Sequence, residues 1–227
     1  MNPIIFTSFN DDVDPKFIEY QHKIIDKLGF ADIYMPLYYK WHHSEMLHGD
    51  ILNKFINKAF YERGHDCILI MDVDCIPLSK EAIDITFELA YNNILVGNAQ
   101  RSCHIENNNH VYAASSYICF TEELYRNAGR PNMLPNRDGD TCEQMTYNVR
   151  RMNELNINKF MKLFVPNAID APNEKGEYWT LSGDMKYGIG TTFSFNGMPM
   201  NYHLFGSRLG IFNQLFFDKA EEVLNGL

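Results

Sequence analysis

The stretch that most constrains this chain is a run of five apolar residues, Cys67 to Met71, followed directly by two carboxylates. A short apolar run of this kind predicts a strand that is buried on both faces of a sheet. Asp72 and Asp74 come next, and Pro77 ends the extended segment because proline cannot donate to a sheet ladder. Carboxylates in this position predict a ligand site, since open α/β sheets bind ligands at the carboxyl ends of their strands.

The spacing of Asp72 and Asp74 also predicts a metal ion. Two carboxylates this close repel one another, and burial increases that repulsion. A divalent cation would relieve it, and oxygen ligands favour Mg²⁺ or Mn²⁺. The alternative is a solvated surface turn or a helix N-cap, because Asp-x-Asp triplets are common on protein surfaces.

Length and composition fit an ordinary globular protein. The 227 residues suit one large α/β domain, with 45% hydrophobic and 22% charged residues. No apolar run approaches the roughly 20 residues that span a bilayer, and the start at Met1 shows no signal pattern. We therefore expect a cytoplasmic protein, of a bacterium or of a virus-infected host cell, with no membrane span.

The net charge limits which ligands we expect, and the cysteine content indicates the redox state of the thiols. The net charge of -9 argues against general binding to a nucleic-acid backbone, although a local basic groove is left open. The five cysteines are odd in number and include no Cys-x-x-Cys, which favours reduced structural thiols. Residues that such a basic groove would use are Arg126, Arg130, Arg137, Arg150 and Arg151.

Strands and helices alternate along the first half of the chain. Pro3 to Phe6 predicts a first strand, and the polar turn after it is where a nucleotide-binding α/β domain usually meets its ligand. Thr7, Ser8 and Asn10 are the candidates there; the alternative is a plain connection to a helix begun by Asp14 and Pro15. Further predicted elements are strands at 33–39, 67–71, 94–96 and 111–120, and helices at 46–63, after Ser79 and after Thr121. The adjacent His42 and His43 are interpreted as a polar loop.

Asp140 begins a predicted helix that runs to about Met152. With Glu143 three residues later, the pattern is that of a capping box, which is a purely structural role. Asp138 is a further acidic residue, two positions before Asp140. In the Gly-rich segment, Gly183 and Gly188 to Gly190 indicate either a mobile loop over a ligand or ordinary turns.

Taken with its flanking apolar residues, the Asp72-Val73-Asp74 stretch resembles the DxD motif of GT-A-fold glycosyltransferases that use nucleotide sugars. The resemblance implies an α/β, Rossmann-related fold with a mixed, mainly parallel sheet flanked by helices in a single domain, 1–227. It implies a nucleotide-sugar half over about 1–100 and an acceptor half over about 101–227. Asp72 and Asp74 would hold Mn²⁺ or Mg²⁺ against the donor diphosphate.

The segment Asn201 to Arg208 is similar to the His-x-x-Gly-x-x-Lys segment of the glycogenin and galactosyltransferase group. The resemblance implies that His203 is a third metal ligand and that Gly206 approaches the diphosphate. The cation of the motif is displaced, because Arg208 comes one position early and Leu209 stands where the lysine would be. Arginine can still hold a phosphate.

Two further roles are implied by the same resemblance. An acidic residue at the start of the helix near the acceptor is the general base in inverting members, which would be Asp140 first, then Asp138, then Glu143. The His203 segment favours retention instead, so the resemblance leaves inversion and retention open. Lys54, on the helix before the DxD strand, would contact the donor, or is otherwise a solvated surface charge.

The expected activity is thus transfer of a sugar from a nucleotide sugar, with UDP as the carrier, to an acceptor hydroxyl. The acceptor is left open among a glycan, a lipid-linked sugar, a protein and a modified nucleobase. Two alternatives stand beside it: a phosphatase of the haloacid dehalogenase class with Asp72 as nucleophile, and a nucleotide-sugar-binding protein without turnover.

Overall fold

The computed structural model describes residues 1–40, 48–102, 110–137, 139–152 and 160–227. Its helices are α1 Lys16–Lys27, α2 His48–Asn57, α3 Lys80–Tyr91, α4 Glu122–Asn127, α5 Glu143–Met152 and α6 Asn213–Gly226. Its strands are β1 Pro3–Phe9, β2 Tyr34–Tyr38, β3 Cys67–Met71, β4 Cys75–Pro77, β5 Leu95–Arg101, β6 Val111–Thr121, β7 Met161–Ala171, β8 Trp179–Ser182, β9 Met185–Tyr187, β10 Ile189–Phe195 and β11 Met198–His203. A π-helical turn, Lys58–Glu62, extends α2.

Over the described residues, nine strands form one sheet in the order β2-β1-β3-β6-β5-β7-β10-β11-β4, and β8 and β9 form a separate hairpin. Strands β3 and β4 are third and last in that order, yet only Asp72, Val73 and Asp74 join them. The sheet must therefore curl so that its β4 edge returns to β3. The turn that carries the two carboxylates bridges this closure.

The predicted fold class is confirmed: a mixed α/β sheet is flanked by helices in a single domain, in an arrangement consistent with a GT-A-like fold. The sheet is less parallel than the sequence predicted. Three of the pairings in the described sheet are parallel (β1 with β2, β1 with β3, β5 with β7) and five are antiparallel. Hairpins cause part of this difference, since a tight turn can join only antiparallel strands.

Two apolar cores lie on opposite faces of the sheet. Alternate residues of β3 point to each, with Leu69 in the core that packs α1, α3 and α6, and Ile70 in the core that packs α2, α4 and α5. Every residue of β3 is buried, which is why the run is apolar without interruption. Each fully buried Leu or Ile side chain stabilises the fold by about 1.5–3 kcal/mol, so the strand that ends in the carboxylates is firmly anchored.

The two predicted helix caps are confirmed. Ser79 caps α3 by accepting from the Ala82 N–H at 3.1 Å, and Thr121 caps α4 by accepting from Leu124 N–H at 3.2 Å. The cysteines in the described residues are free and buried. None of the helices described combines the length and the apolar character that crossing a membrane requires. His42, His43, Cys103 and Asp138 lie outside the described residues.

The predicted Gly-rich segment is divided between a hairpin turn and the start of a strand: Gly188 directly precedes β10, and Gly190 lies within β10 with φ of +65°. Gly183, with a φ of +55°, lies in the turn of the β8–β9 hairpin. Asn196 and Gly197, with φ of +51° and +81°, form the two-residue turn between β10 and β11. Two left-handed residues in a row match the type I′ hairpin turn, for which Asn-Gly is a favoured sequence.

Candidate functional site

A cavity of about 280 Å³ opens at the carboxyl ends of β1 and β3. Most of the residues that the sequence singled out lie around it. Those that line the cavity are Ser8, Asn10, Asp72, Asp74, Asp140, His203, Gly206 and Arg208. Residues far apart in the chain thus meet at the edge of the sheet where a ligand was expected.

Asp72, Asp74 and His203 form one cluster, in which a ligand atom from each lies within 4.8 Å of the others. The Nε2 atom of His203 is 3.3 Å from Oδ1 of Asp74. The sheet accounts for this contact, because β11 pairs antiparallel with β4 and places His203 opposite Cys75, next to Asp74. Two of the three side chains therefore come from the turn between β3 and β4, and the third comes from the end of β11, the strand beside β4.

The donor set of this cluster fits a divalent metal ion. The two carboxylates suit Mn²⁺ or Mg²⁺, and the imidazole, a ligand of transition-metal ions, favours Mn²⁺ of these two. Nδ1 of His203 is buried and has no hydrogen-bond partner among the described residues. Buried polar atoms are normally bonded, so the His203 ring beside the cavity still requires a partner. The residues present thus match the metal site that the sequence predicts.

The two aspartates differ in their electrostatics. Burial raises the pKa of Asp72, and the charge of Asp74 adds to that effect, whereas His48, His203 and Arg208 oppose it. Burial also acts to raise the pKa of Asp74, but the charge and hydrogen bond of His203 and the hydrogen bond of Ser207 bring that pKa below its ordinary value. Asp74 is therefore the carboxylate that the protein itself stabilises as an anion. For Asp72, the neighbouring positive groups do not fully offset the cost of burial.

Asp140 lies in the same cavity and is held by three neighbours. Tyr112 donates its hydroxyl to Oδ2 of Asp140 at 2.9 Å, and Thr141 N–H donates to Oδ1 at 2.6 Å. The Asp140 N–H donates to Oε2 of the buried Glu143 at 2.8 Å, which is the Glu half of the predicted capping box. Burial and the adjacent Asp140 raise the pKa of Tyr112 well above its usual value, so Tyr112 stays a hydrogen-bond donor.

Arg208 belongs to a one-turn helix, Ser207–Leu209, which follows Gly206 and borders the cavity. Gly206 and Gly210 flank this turn with φ of +76° and +75°, a conformation that glycine adopts without strain. Leu204 N–H donates to the carbonyl of Asp74 at 2.9 Å, which ties the start of this segment to the DxD turn. The cation of Arg208 and the carboxylates thus face a common space.

Three predicted residues are not part of the cavity as described. Thr7 is fully buried and donates its hydroxyl to the Met71 carbonyl at 2.9 Å. Lys54 is an exposed residue of α2 and does not line the cavity. Asp138 lies outside the described residues.

The cavity also includes residues that the sequence did not single out, among them His48, Tyr39 and Tyr112. Nε2 of His48 is 3.8 Å from Oδ1 of Asp72. Tyr39 and His48 follow the carboxyl end of β2, a strand parallel to β1, so the argument applied to the β1 turn would have found them. Tyr112 is near the amino end of β6, an antiparallel strand. Its position at the cavity could be predicted only from the order of the strands in the sheet.

No protein-family model matches the chain, and no curated protein matches it. Solved structures that resemble the fold include A197 from STIV, at 13% identity over 65% of this chain and 78% of that one, with a TM-score of 0.42. A glycosyltransferase involved in glycosylation of the major capsid of PBCV-1 matches at 9% identity over 66% of each chain, with a TM-score of 0.38.

A mutant Drosophila β-1,4-galactosyltransferase 7, solved with manganese, UDP-Gal and xylobiose, matches at 14% identity over 72% of this chain and 64% of that one, with a TM-score of 0.42. Similarity at this level says nothing about the reaction, which has to be inferred from the cavity itself.

Proposed function

We propose that this protein is a metal-dependent glycosyltransferase that moves a sugar from a nucleotide sugar, with UDP as the carrier, to an acceptor hydroxyl. One observation carries the proposal: the Asp72, Asp74 and His203 cluster shares a cavity with Arg208 and with a separate carboxylate, Asp140. A diphosphate leaving group needs cations around it, and a hydroxyl nucleophile needs a base. The cavity contains both kinds of group.

Asp72, Asp74 and His203 would hold the Mn²⁺ or Mg²⁺ ion. When bound, that ion supplies charge neutralisation and orientation for the diphosphate. Arg208 adds a fixed positive charge on the same side, and its guanidinium can bind two phosphate oxygens at once. The donor diphosphate is therefore assigned to the part of the cavity between the cluster and the Ser207–Leu209 turn.

Asp140 is assigned as the general base. Its carboxylate would accept the proton of the acceptor hydroxyl while the acceptor oxygen bonds to the sugar carbon. The bond from that carbon to the diphosphate breaks, and its electron pair leaves with the diphosphate. Tyr112 and Thr141 hold both carboxylate oxygens of Asp140 in place, so its orientation is fixed before the acceptor arrives. A direct displacement of this kind inverts the sugar carbon.

The phosphatase alternative requires Asp72 to act as an ionised nucleophile. A phosphatase of this kind gives no account of His203 beside Asp74. The glycosyltransferase proposal uses all three residues.

The test is isothermal titration calorimetry with UDP and with GDP, in Mn²⁺ and again with the metal chelated. Three chains are compared: the wild type, Asp74→Asn, and the control Asp84→Asn. Asp84 is an exposed aspartate on α3 that pairs with Lys80 and does not line the cavity. The control keeps the same change of charge while leaving the cluster intact.

We expect UDP to bind the wild type and Asp84→Asn only with Mn²⁺ present, and to bind Asp74→Asn at least about tenfold more weakly, as for lost metal-site contacts. UDP binding that needs no metal, or binding that Asp74→Asn leaves unchanged, would contradict the metal assignment. If neither nucleotide binds the wild type, the proposal is wrong, and phosphatase substrates become the next assay.

A further inference from the structure

Gln21 is a polar residue in an apolar core. It lies in the middle of α1, is fully buried, and has buried Phe17, Ile24 and Ile25 as neighbours on the helix. Glutamine is rarely buried to this extent, and an amide taken out of water without partners costs about 1–3 kcal/mol on mutational scales. The side chain of Gln21 therefore requires hydrogen-bond partners that suit an amide.

Those partners are the backbone of the DxD turn. The Nε2 group of Gln21 donates to the carbonyl of Asp72 at 2.8 Å and to the carbonyl of Cys75 at 2.6 Å. Its Oε1 atom accepts from the Tyr34 hydroxyl at 2.7 Å. Both N–H groups and the oxygen of this amide are thus used, and two of its three bonds end on the turn.

The bonded carbonyls belong to the first and last residues of the turn that carries both carboxylates. Cys75 N–H closes the same turn by donating to the Asp72 carbonyl at 3.0 Å, and Asp72 N–H donates to the Ser116 carbonyl at 3.2 Å. Gln21 adds a link between the two ends from the side of α1. A turn held at both ends in this way has little freedom to open.

The link matters because Asp72 and Asp74 repel each other before any cation is bound. A turn that yielded to this repulsion would separate the two ligands and would have to be drawn together again on binding. We infer that Gln21 is a positioning residue, which holds the Asp72–Cys75 turn in the geometry that a divalent cation requires. The inference depends on the metal role given to Asp72 and Asp74 in the proposed function.

Tyr34 extends the same arrangement to the edge of the sheet. Its hydroxyl fixes which way the Gln21 amide points, because the amide oxygen must face Tyr34 for the nitrogen to face the turn. Tyr34→Phe would remove this orientation while leaving the donors of Gln21 in place. We expect it to have a smaller effect in the same direction.

The test is Mn²⁺ affinity, measured by electron paramagnetic resonance of the free ion in titrations of the whole chain without nucleotide. The main variant is Gln21→Met, which keeps the length of the side chain and removes both donors. The matched control is Thr86→Val. Thr86 is also fully buried and donates its hydroxyl to the Ala82 carbonyl at 2.7 Å. It lies on α3, away from the Asp72–Cys75 turn. Both substitutions remove a buried hydrogen bond, so both should lower the melting temperature.

We expect Gln21→Met to weaken Mn²⁺ binding by about 10- to 100-fold, the range seen when outer-shell partners of metal ligands are lost. Thr86→Val should bind Mn²⁺ as the wild type does. Wild-type affinity in Gln21→Met, at a temperature at which it is folded, would overturn the inference.

If Gln21→Met does not fold, Tyr34→Phe decides: a weakening of at least about threefold supports the inference, and unchanged affinity overturns it. A wild type that binds no Mn²⁺ overturns both the inference and the proposed function. If the wild type binds Mn²⁺ and the variants bind it equally well, only the role of Gln21 is overturned.

Discussion

Asn98 and Asn201 exchange two side-chain hydrogen bonds across the inside of the curled sheet. Nδ2 of Asn98 donates to Oδ1 of Asn201 at 2.9 Å, and Nδ2 of Asn201 donates to Oδ1 of Asn98 at 2.8 Å. Both residues are fully buried, and β7 and β10 separate their strands in the order of the sheet. The pair therefore joins β5 directly to the strand that ends in His203.

The first prediction concerns this pair. Asn98→Ala removes two hydrogen bonds from the buried amide of Asn201, which keeps a weak bond from the Cys75 thiol at 3.6 Å. We therefore expect a loss of about 1–3 kcal/mol in the free energy of unfolding. In the double variant with Asn201→Ala both amides are gone, and its loss should be smaller than the sum of the single losses. Urea denaturation of the four chains measures the coupling.

An exposed pair of asparagines supplies the control for this comparison of single and double variants. Asn53 and Asn132 also share a side-chain hydrogen bond, of 2.7 Å, but it is open to solvent. Their coupling should stay within about 0.5 kcal/mol, as is usual at the surface. Additive losses at Asn98 and Asn201 would show that the two amides do not support one another.

The second prediction is that Asp72→Asn stabilises the metal-free protein at neutral pH. Burial raises the pKa of Asp72, so its ionisation weakens the folded state. The penalty is complete above the raised folded-state pKa and absent below the ordinary value of 3.8, where Asp72 is protonated in both states. The advantage of Asp72→Asn should therefore shrink as the pH falls through that interval.

Urea unfolding in chelator, at pH 7 and in steps below it, measures this difference. Asp84→Asn, at an exposed position, should show no comparable advantage. Saturating Mn²⁺ should reverse the order, because the wild type gains about 2.7 kcal/mol at 100 times its Kd while the variant gains less. An advantage of Asp72→Asn that does not change with pH would contradict the electrostatic explanation.

The sequence was informative where a short segment carries its own signal. The apolar run at Cys67 to Met71 identified the central strand, and Asp72 and Asp74 were expected at its carboxyl end. Caps such as Ser79 and Thr121 were also found locally, since each contacts a backbone N–H three residues away. These features depend on neighbours in the chain and not on the rest of the fold.

The second half of the sheet was harder to predict because its strands depend on distant partners. Strand β7 contains Pro166, Asn167 and Asp170, which are poor strand residues, and it is held by pairing with β5 and β10. The hairpin at Asn196-Gly197 carries a local signal of its own, the Asn-Gly pair of a type I′ turn. Gln21 could not have been assigned, since its partners lie on a turn some fifty residues later.

The third prediction concerns the turn beside the donor site. Gly206→Ala places a Cβ in a left-handed conformation, with φ of +76°, and should lower the free energy of unfolding by about 1–2 kcal/mol. There is space for the methyl group, whose nearest neighbour is Leu209 at 3.5 Å, so the effect should come from the backbone. Relief of that strain would move the turn that carries Arg208, and UDP affinity should fall as well.

Gly29→Ala is the control for Gly206→Ala. Gly29 follows α1 with φ of +83° and has nothing within 4 Å of the added Cβ, so it should lose a similar stability. It does not line the cavity, and UDP affinity should stay at the wild-type value. Calorimetric titration with UDP in Mn²⁺ separates the two variants, and equal affinities would argue against a donor contact in the Ser207–Leu209 turn.

The fourth prediction is that Asp140→Asn removes turnover and preserves donor binding. Asparagine can still accept from Tyr112 but cannot take up the proton of the acceptor hydroxyl, so kcat should fall by about 10²- to 10⁴-fold. UDP release with the donor and acceptor found by screening measures the rate, and calorimetry should give an unchanged Kd for UDP.

Asp170→Asn is the matched control for Asp140→Asn. Asp170 accepts from the Tyr202 hydroxyl at 2.7 Å, as Asp140 does from Tyr112, but it lies outside the cavity. The control should therefore keep the wild-type rate. Turnover by Asp140→Asn at the wild-type rate would mean that another group accepts the proton.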